Sequence, residues 1–135
     1  MASIEQITPE LTWPLRQVVM YPNWSIEEVQ LANDFEGIHF GLFDKNILIS
    51  VVSTFITEDT MQFRKFATLH SEQGKGYGKL LLAHIIQFAK DEHCKRMWCN
   101  ARCNASAFYA KFGFTETEQK FHQDGHDFVI MEIYL

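Results

Sequence analysis

The sequence predicts a single α/β (α+β) domain over residues 1–135, in which helices and strands alternate along the chain. Its length suits one domain with a substantial core. The run Ile47–Ile56 is β-branched and nearly continuous, as expected of a strand buried on both faces. A glycine-rich loop at residues 73–78 leads into an amphipathic helix. These three observations predict the fold class.

The N-terminal half is predicted to be a helix followed by a β-meander. Apolar residues recur at helical spacing between Thr8 and Tyr21. The regular helix should begin near Trp13 or Pro14, because proline fits only the first turn of a helix. Ser25–Leu31 stays ambiguous, since a capping-box pattern competes with strand-like alternation. The meander strands are predicted at Ile38–Phe43, Ile47–Ile56 and Met61–Leu69.

The C-terminal half is predicted to contain a helix, a strand, a second helix and two strands. The first helix runs from the glycine-rich loop to about Lys90, with one apolar face. Met97–Asn100 is a short strand, and Asn104 is placed to cap a short helix. Gly113 stands where that helix would end in the left-handed conformation. The last two strands, separated by a turn, are predicted from Phe114 onward and at Phe128–Leu135.

Charge and cysteine content restrict the function classes. The formal net charge is −5, and a protein that seeks nucleic acid or an anionic membrane by charge usually has the opposite sign. Three cysteines at spacings of five and four fit neither a disulfide framework nor a zinc site built from cysteine alone. The first residues lack the basic and apolar segments of a secretory signal. We therefore expect a cytoplasmic protein with no metal, no nucleic acid and no membrane partner.

The most informative local pattern is the glycine-rich loop Gln73-Gly74-Lys75-Gly76-Tyr77-Gly78, between a predicted strand and a predicted helix. Glycine permits positive φ and close approach of the backbone to a ligand. A helix start offers free N–H groups and the positive end of the helix dipole. The loop therefore predicts a pyrophosphate site, to which Lys75 and Lys79 would add charge. A flexible turn before an ordinary helix stays the alternative.

Spacing excludes other phosphate-binding motifs. A P-loop requires Ser or Thr after its Gly-Lys pair, whereas Leu80 follows Gly78-Lys79. A Rossmann fingerprint requires a third glycine three residues after the second, and Lys79 and Leu81 occupy those positions. A protein-kinase loop belongs to a much longer domain.

The remaining pattern, (Q/R)-x-x-G-x-(G/A), resembles the motif of the GCN5-related N-acetyltransferase (GNAT) family, matched by Gln73, Gly76 and Gly78. Residues 108–114, FYAKFGF, are similar to the family's second motif, [F/L]Y-x-x-x-GF. The order of elements agrees, and the resemblance covers the chain from Ile38, and more loosely the N-terminal helix. Two further stretches resemble a small bacterial branch of the family, namely Arg64–Leu69 and Asn100–Arg102.

The resemblance implies a mixed, centrally splayed sheet of six to seven strands, flanked by helices, that binds acetyl-CoA. In the family, the strand before the loop pairs with the pantetheine arm and one of its N–H groups polarises the thioester carbonyl. The loop amides hold the pyrophosphate. The implied cofactor-binding residues are Phe66, Ala67, Thr68, Leu69, Gln73, Gly74, Lys75, Gly76, Tyr77, Gly78 and Lys79.

The resemblance places Tyr109 where many members carry the acid that protonates the leaving thiolate, although its apolar neighbours also suit a core tyrosine. The CoA-contacting Asn of the family is replaced by Arg102, and Asn104 follows two residues later; either could reach the cofactor. Gln62 occupies the place of the glutamate base of the histone-acetylating branch. Base candidates by residue type are Glu27, Glu28, His39, His70, Asp124 and His126. A water chain is an equal alternative.

These implications predict an N-acetyltransferase that moves the acetyl group of acetyl-CoA to a primary amine by direct attack. The acceptor, a small molecule or a peptide, is not identified by the sequence, and a homodimer stays open. One alternative is a catalytically silent acyl-CoA-binding module. The other is an unrelated nucleotide-binding or interaction domain with a coincidental glycine loop.

Overall fold

The computed structural model describes all 135 residues and contains seven strands and three α-helices, with short 3-10 turns between them. The strands are β1 (Ala2–Ile7), β2 (Ile38–Asp44), β3 (Ile47–Thr57), β4 (Thr60–Thr68), β5 (Arg96–Arg102), β6 (Thr115–Gln123) and β7 (His126–Tyr134). The helices are α1 (Trp13–Leu15), α2 (Tyr77–Asp91) and α3 (Ser106–Ala110).

The strands form a mixed sheet in the order β1-β2-β3-β4-β5-β7-β6. β4 and β5 run parallel over three residue pairs, Thr60–Gln62 against Arg96–Trp98. β1 with β2, β2 with β3, β5 with β7 and β6 with β7 are antiparallel. The predicted mixed α/β sheet of six to seven strands is thereby confirmed. No helix is both long and apolar enough to cross a membrane.

β1 is the one strand that the sequence patterns do not predict. Its side chains alternate between partly buried and exposed, and it contributes few apolar residues to the core. The strand forms because β2 offers a complete antiparallel ladder, in which Ile4 lies opposite the fully buried Leu42. Pairing with a buried neighbour therefore outweighs the weak local pattern.

The N-terminal helical segment is irregular. A 3-10 turn at Pro9–Thr12 precedes α1, which begins at Trp13 as predicted, with Pro14 in its first turn. Residues 16–20 then form a π-turn, in which the Tyr21 N–H donates to the Arg16 carbonyl at 3.1 Å. The ambiguous stretch after it is a turn, although Ser25 and Glu28 do form the reciprocal hydrogen bonds of a capping box, at 2.9 and 3.1 Å.

The chain divides into two compact units, and the prediction of one domain over residues 1–135 stays a prediction. The first unit comprises residues 1–55 and 63–86. In it, Leu15 of α1 packs on Val51 and Ala67, and α2 buries Leu81, Leu82 and Ile85. The β2–β3 hairpin turns at Lys45 and Asn46, both with positive φ, which fits the predicted Asp-Lys-Asn turn.

The second unit comprises residues 56–62 and 87–135. Its core lies along β5 and β7, whose buried side chains are Met97, Cys99, Ala101, Val129 and Met131. Gly113 follows α3 with a φ of +97°, in agreement with the predicted helix end. The hairpin between β6 and β7 turns at Asp124 and Gly125, both with positive φ.

Candidate functional site

The glycine-rich loop lies in the first unit and leaves β4 through a 3-10 turn at His70–Glu72. Gly74 and Gly76 have φ values of +79° and +89°, which side chains other than glycine rarely adopt. A Cβ atom at either position would meet nothing within 4 Å. Gly78 lies in the first turn of α2 instead. The loop therefore has a backbone conformation that requires glycine, and no protein atoms cover it at these two positions. An exposed backbone of this kind could accommodate a pyrophosphate.

The start of α2 supplies hydrogen-bond donors beside this loop. The first intrahelical bond runs from the Leu80 N–H to the Gly76 carbonyl at 3.2 Å. The N–H groups of Tyr77, Gly78 and Lys79 precede it and have no intrahelical acceptor. α2 has 15 residues, so its dipole adds positive potential at this end. Together these features form a site suited to an anion.

Three predicted cofactor-binding side chains make contacts within the protein. Lys75 Nζ donates to Glu72 Oε2 at 2.8 Å, and this hydrogen bond raises the pKa of Lys75. Tyr77 Oη donates to Asp44 Oδ2 at 2.9 Å, which ties the start of α2 to the β2–β3 hairpin and lowers the pKa of Asp44. Gln73 Nε2 donates to the Thr68 carbonyl at 3.0 Å. These side chains hold the loop in place, whereas Lys79 is exposed and keeps its charge available.

Strand β4 leads into the loop and divides its backbone groups between two edges. The Leu69 N–H donates to the Ile49 carbonyl at 2.9 Å, and Ser50 Oγ donates to the Ala67 carbonyl at 3.1 Å. Because successive residues of a strand point their backbone groups to opposite edges, those of Phe66 and Thr68 face away from β3. Among the four residues predicted to bind the pantetheine arm, Phe66 and Thr68 are therefore the two whose backbone groups point away from β3, and the Thr68 carbonyl accepts from Gln73 Nε2.

Tyr109 lies on α3 in the second unit and is partly buried. Its ring packs edge-on against Phe108 and Phe114, with centroid distances of 5.2 and 6.1 Å. Burial raises the pKa of the Tyr109 phenol, with a further increase from Cys99 and a smaller opposing effect from Arg102. Burial also raises the pKa of the Cys99 thiol, to about 12. The phenol therefore stays protonated at neutral pH, as an acid must.

Arg102 and Asn104 take different positions at the end of β5. Arg102 is the last residue of the strand, is partly buried, and lies close enough to Tyr109 to influence its pKa. Asn104 is exposed within a 3-10 turn at Cys103–Ala105. The prediction that Asn104 caps the short helix is wrong, because this turn moves the start of α3 so that Ala105 is its N-cap, without a side-chain hydrogen bond.

Among the base candidates, His39 is excluded from contact with an amine. Its Nε2 donates to the Asp34 carbonyl and its Nδ1 accepts from Ser53 Oγ, both at 2.7 Å, and the ring is 1% exposed. Burial lowers its pKa, so the ring is neutral. Glu28 is engaged in the capping box. The structure leaves the remaining candidates at the surface or partly exposed, namely Glu27, His70, Asp124 and His126. No general base is assigned.

Two groups of residues that were not predicted as site residues are prominent in the first unit. One is a buried network in which Arg16 forms an ion pair with Asp34 at 2.8 Å and donates to Ser53 Oγ. The other is Arg64 and Lys65, next to the predicted acetyl-CoA strand, with Lys65 at a φ of +55°. Two adjacent cations in an otherwise strand-like pattern were the available signal. No group of three or more His, Cys, Asp or Glu side chains is arranged to hold a metal ion.

Comparison with known families shows the family to which the chain belongs. The acetyltransferase (GNAT) domain family matches residues 22–135 of the chain. The protein belongs to the GNAT acetyltransferase family. Both the family prediction and the enzyme class, an N-acetyltransferase, are thereby confirmed. The alternative that the chain is an unrelated nucleotide-binding or interaction domain with a coincidental glycine loop is therefore wrong.

Curated relatives and solved structures agree with this assignment. The N-acetyltransferase YitI of Bacillus subtilis, itself uncharacterised, is 30% identical over 134 residues, covering 93% of this chain and 90% of YitI. The ribosomal protein bS18 alanine N-acetyltransferase of Haemophilus influenzae is 27% identical over 121 residues, covering 87% and 82%. A Bacillus subtilis acetyltransferase solved in complex with CoA superposes with a TM-score of 0.78 at 19% identity, covering 100% and 99%.

Proposed function

We propose that this GNAT protein transfers the acetyl group of acetyl-CoA to a primary amine by direct attack, and that residues 1–135 act as one acetyltransferase domain. The observation that carries the proposal is the open loop at Gly74 and Gly76, followed by the donor-rich start of α2. This arrangement fits the pyrophosphate of acetyl-CoA. The solved CoA complex of a protein with the same fold supports the choice of ligand.

In the proposed complex, the backbone amides from Gly74 to Gly78 and the Lys79 ammonium bind the pyrophosphate. The backbone of Phe66 and Thr68 pairs with the pantetheine arm, and an N–H group of this segment stabilises negative charge on the thioester oxygen. The other predicted contacts, Arg102 and Asn104, stay proposals; Arg102 is the better placed of the two, because its charge already influences Tyr109.

The reaction forms a carbon–nitrogen bond to the acetyl carbon and breaks the carbon–sulfur bond. The ammonium group of the acceptor must first lose a proton, to a side chain not yet assigned or to water. The nitrogen loses a second proton, to the same acceptor or to water, as the tetrahedral adduct collapses to the amide. Tyr109 donates a proton or a hydrogen bond to the departing thiolate. Because a thiol ordinarily has a pKa of about 8.5 and that of Tyr109 is raised, hydrogen bonding to sulfur contributes more than full proton transfer.

The acceptor is proposed as a primary amine of a small molecule or a peptide. A protein N-terminal amine is one candidate, because the Haemophilus relative is named for the alanine of a ribosomal protein. A cytoplasmic location, without a nucleic-acid or membrane partner, belongs to the proposal, and the proposed reaction requires no metal. Dimerisation stays a prediction that sedimentation velocity would test.

Two measurements test the proposal. In a thermal-shift titration, acetyl-CoA at 100 times its dissociation constant should add about 2.7 kcal/mol of stability. For a domain of this size that corresponds to a rise of roughly 10 °C in melting temperature. Release of free CoA thiol should then depend on the amine supplied. No thermal response to millimolar acetyl-CoA or CoA would overturn the proposal. A clear response with no product from any amine would favour the alternative, a silent acyl-CoA-binding module.

A further inference from the structure

Arg64 is a partly buried cation without an anionic partner. It lies on β4 and forms no salt bridge and no side-chain hydrogen bond. Burial lowers its pKa, and the nearby Arg16 guanidinium lowers it further, with smaller opposing effects from Tyr21 and Asp34. Removing a cation from water next to a second cation is unfavourable unless something else compensates. Within the protein, only the smaller effects of Tyr21 and Asp34 oppose this cost.

The one carboxylate near Arg64 is already occupied. Asp34 accepts from Arg16 Nη1 and Nη2, both at 2.8 Å, and also from Trp13 Nε1 at 3.0 Å. Its hydrogen-bonding capacity is therefore largely used within the core. Asp34 therefore neutralises the charge of Arg16, and the charge of Arg64 is not paired with a carboxylate.

The next residue adds a second cation to the same region. Lys65 has a left-handed φ of +55°, and its Nζ donates to the hydroxyl of Tyr21 at 2.6 Å. That partner is a hydroxyl, and Lys65 forms no salt bridge with a carboxylate. Tyr21 stacks on Trp24 with a centroid distance of 4.0 Å. Gln17 Nε2 donates a hydrogen bond to the Trp24 carbonyl oxygen at 2.7 Å. The region is thus held by side chains from the N-terminal segment and carries positive charge.

The position of Arg64 relates this charge to the proposed chemistry. Arg64 precedes Phe66, part of the segment proposed to bind the thioester end of acetyl-CoA, by two residues. The left-handed Lys65 lies between them, so their Cα atoms are at most about 7 Å apart. An acceptor whose anion binds at Arg64 would therefore hold its amine near the reacting carbonyl. In an α-amino acid the carboxylate and the amine share one carbon, which suits so short a separation.

We propose that Arg64 binds a carboxylate of the acceptor, so that the substrate class is a primary amine with a carboxylate close to the amine. This inference rests on the proposed function. The guanidinium presents two parallel N–H donors that match a carboxylate, and Lys65 adds positive potential beside it. The carboxylate could be the α-carboxylate of a free amino acid or the side chain of an acidic N-terminal residue of a peptide.

The test compares matched acceptors that differ in this charge. α-Amino acids are each paired with their α-amide, and peptide amides beginning with Asp are paired with the same peptides beginning with Asn. In at least one of these arms the wild type should show a kcat/KM about 10- to 100-fold higher for the acid than for the neutral partner. The arm with the larger ratio identifies the source of the carboxylate. Equal rates in both arms, or a preference for the neutral acceptors, would overturn the inference.

The variant Arg64→Gln should abolish this preference by lowering kcat/KM for the acid alone, while the KM for acetyl-CoA stays unchanged. Arg64→Lys should retain part of it, because the charge remains and the planar fork is lost. Lys95→Gln is the matched control, because it also removes one positive charge. The Lys95 side chain is 81% exposed, and its Nζ lies 4.0 Å from Asp59 Oδ2 in a weak surface pair. An equal loss for acid and neutral acceptors in Arg64→Gln would contradict a binding role.

Stability provides a second readout that separates binding from structure. Removing an uncompensated, partly buried cation should leave the melting temperature of Arg64→Gln unchanged or raise it. A lowered melting temperature together with unchanged acceptor preference would make Arg64 a structural residue and overturn the inference. If neither acid nor neutral amines yield product, the proposed function fails and the inference fails with it. Acetylation of acid and neutral acceptors at equal rates would overturn the inference about Arg64 and leave the proposed function intact.

Discussion

Arg16 and Asp34 form a two-pronged ion pair in the core, with the Nη1–Oδ2 and Nη2–Oδ1 distances both 2.8 Å. The exposed fractions of the two side chains are 0% and 1%. The backbone N–H of Leu31 also donates to Asp34, at 2.9 Å. The pair therefore ties the irregular N-terminal helical segment to the stretch that precedes β2. Removal of one partner would leave an uncompensated charge in a water-free environment.

Asp34→Asn should therefore lower the free energy of unfolding by about 3–5 kcal/mol, measured by urea denaturation. The amide keeps the size of the side chain but cannot accept all the hydrogen bonds that Asp34 accepts. The control is Asp59→Asn, which breaks an exposed pair with Lys95 at 4.0 Å and should change stability by less than about 1 kcal/mol. Similar losses in the two variants would show that burial of the Arg16 pair has no special importance.

The buried His39 should make stability depend on pH. Burial lowers its pKa below the ordinary value of 6.5, with a smaller opposing effect from the Asp34 carbonyl. Below pH 6.5 the unfolded chain binds a proton at His39 that the folded protein does not, so stability is retained above this pH and falls as pH decreases toward the folded pKa. Urea midpoints from pH 7.5 to pH 5 should decline in the wild type and decline less in His39→Gln. Parallel curves would argue against a neutral, buried ring.

Gly76→Asp should weaken acetyl-CoA binding at least tenfold, or by about 1.4 kcal/mol, because a carboxylate would face the proposed pyrophosphate site. Gly125→Asp is the matched control. Gly125 also has a positive φ, +78°, and open space around a built Cβ, but it lies in the β6–β7 turn. Both variants place a side chain at a positive φ, so only a phosphate site at Gly76 predicts different affinities by thermal shift or calorimetry. Equal affinities would place the pyrophosphate elsewhere.

Tyr109→Phe should reduce turnover by about 10²-fold, the lower end of the range for loss of a positioned acid. Affinity for acetyl-CoA should hardly change, since the contact matters mainly as charge develops on sulfur. The control, Tyr134→Phe, removes a hydroxyl from a side chain that is 71% exposed, and its turnover should equal that of the wild type. Because the pKa of Tyr109 is raised, its deprotonation should cause no loss of wild-type turnover between pH 7 and pH 9. Wild-type turnover in Tyr109→Phe, with chemistry limiting the rate, would remove Tyr109 from the mechanism.

Much of the fold was predictable because it depends on local patterns. The β-branched run that became β3, the two hairpin turns and the amphipathic α2 each carry their own periodicity or turn residues. β1 was not predictable in this way, because it exists through pairing with β2. The short helix after β5 was predicted with the wrong cap, since a 3-10 turn there shifts the helix start beyond Asn104.

The sequence by itself determined the class of this protein: the spacing of Gln73, Gly76 and Gly78 and the later Phe-Tyr motif identify a GNAT acetyltransferase, because both motifs are contiguous and local. Tertiary structure alone decided how distant side chains are used. It placed His39 in a buried network, which removes it from the base candidates, and paired Arg16 with Asp34 so that Arg64 lacks an anion. Burial and charge compensation depend on which segments pack together, and no local pattern contains that information.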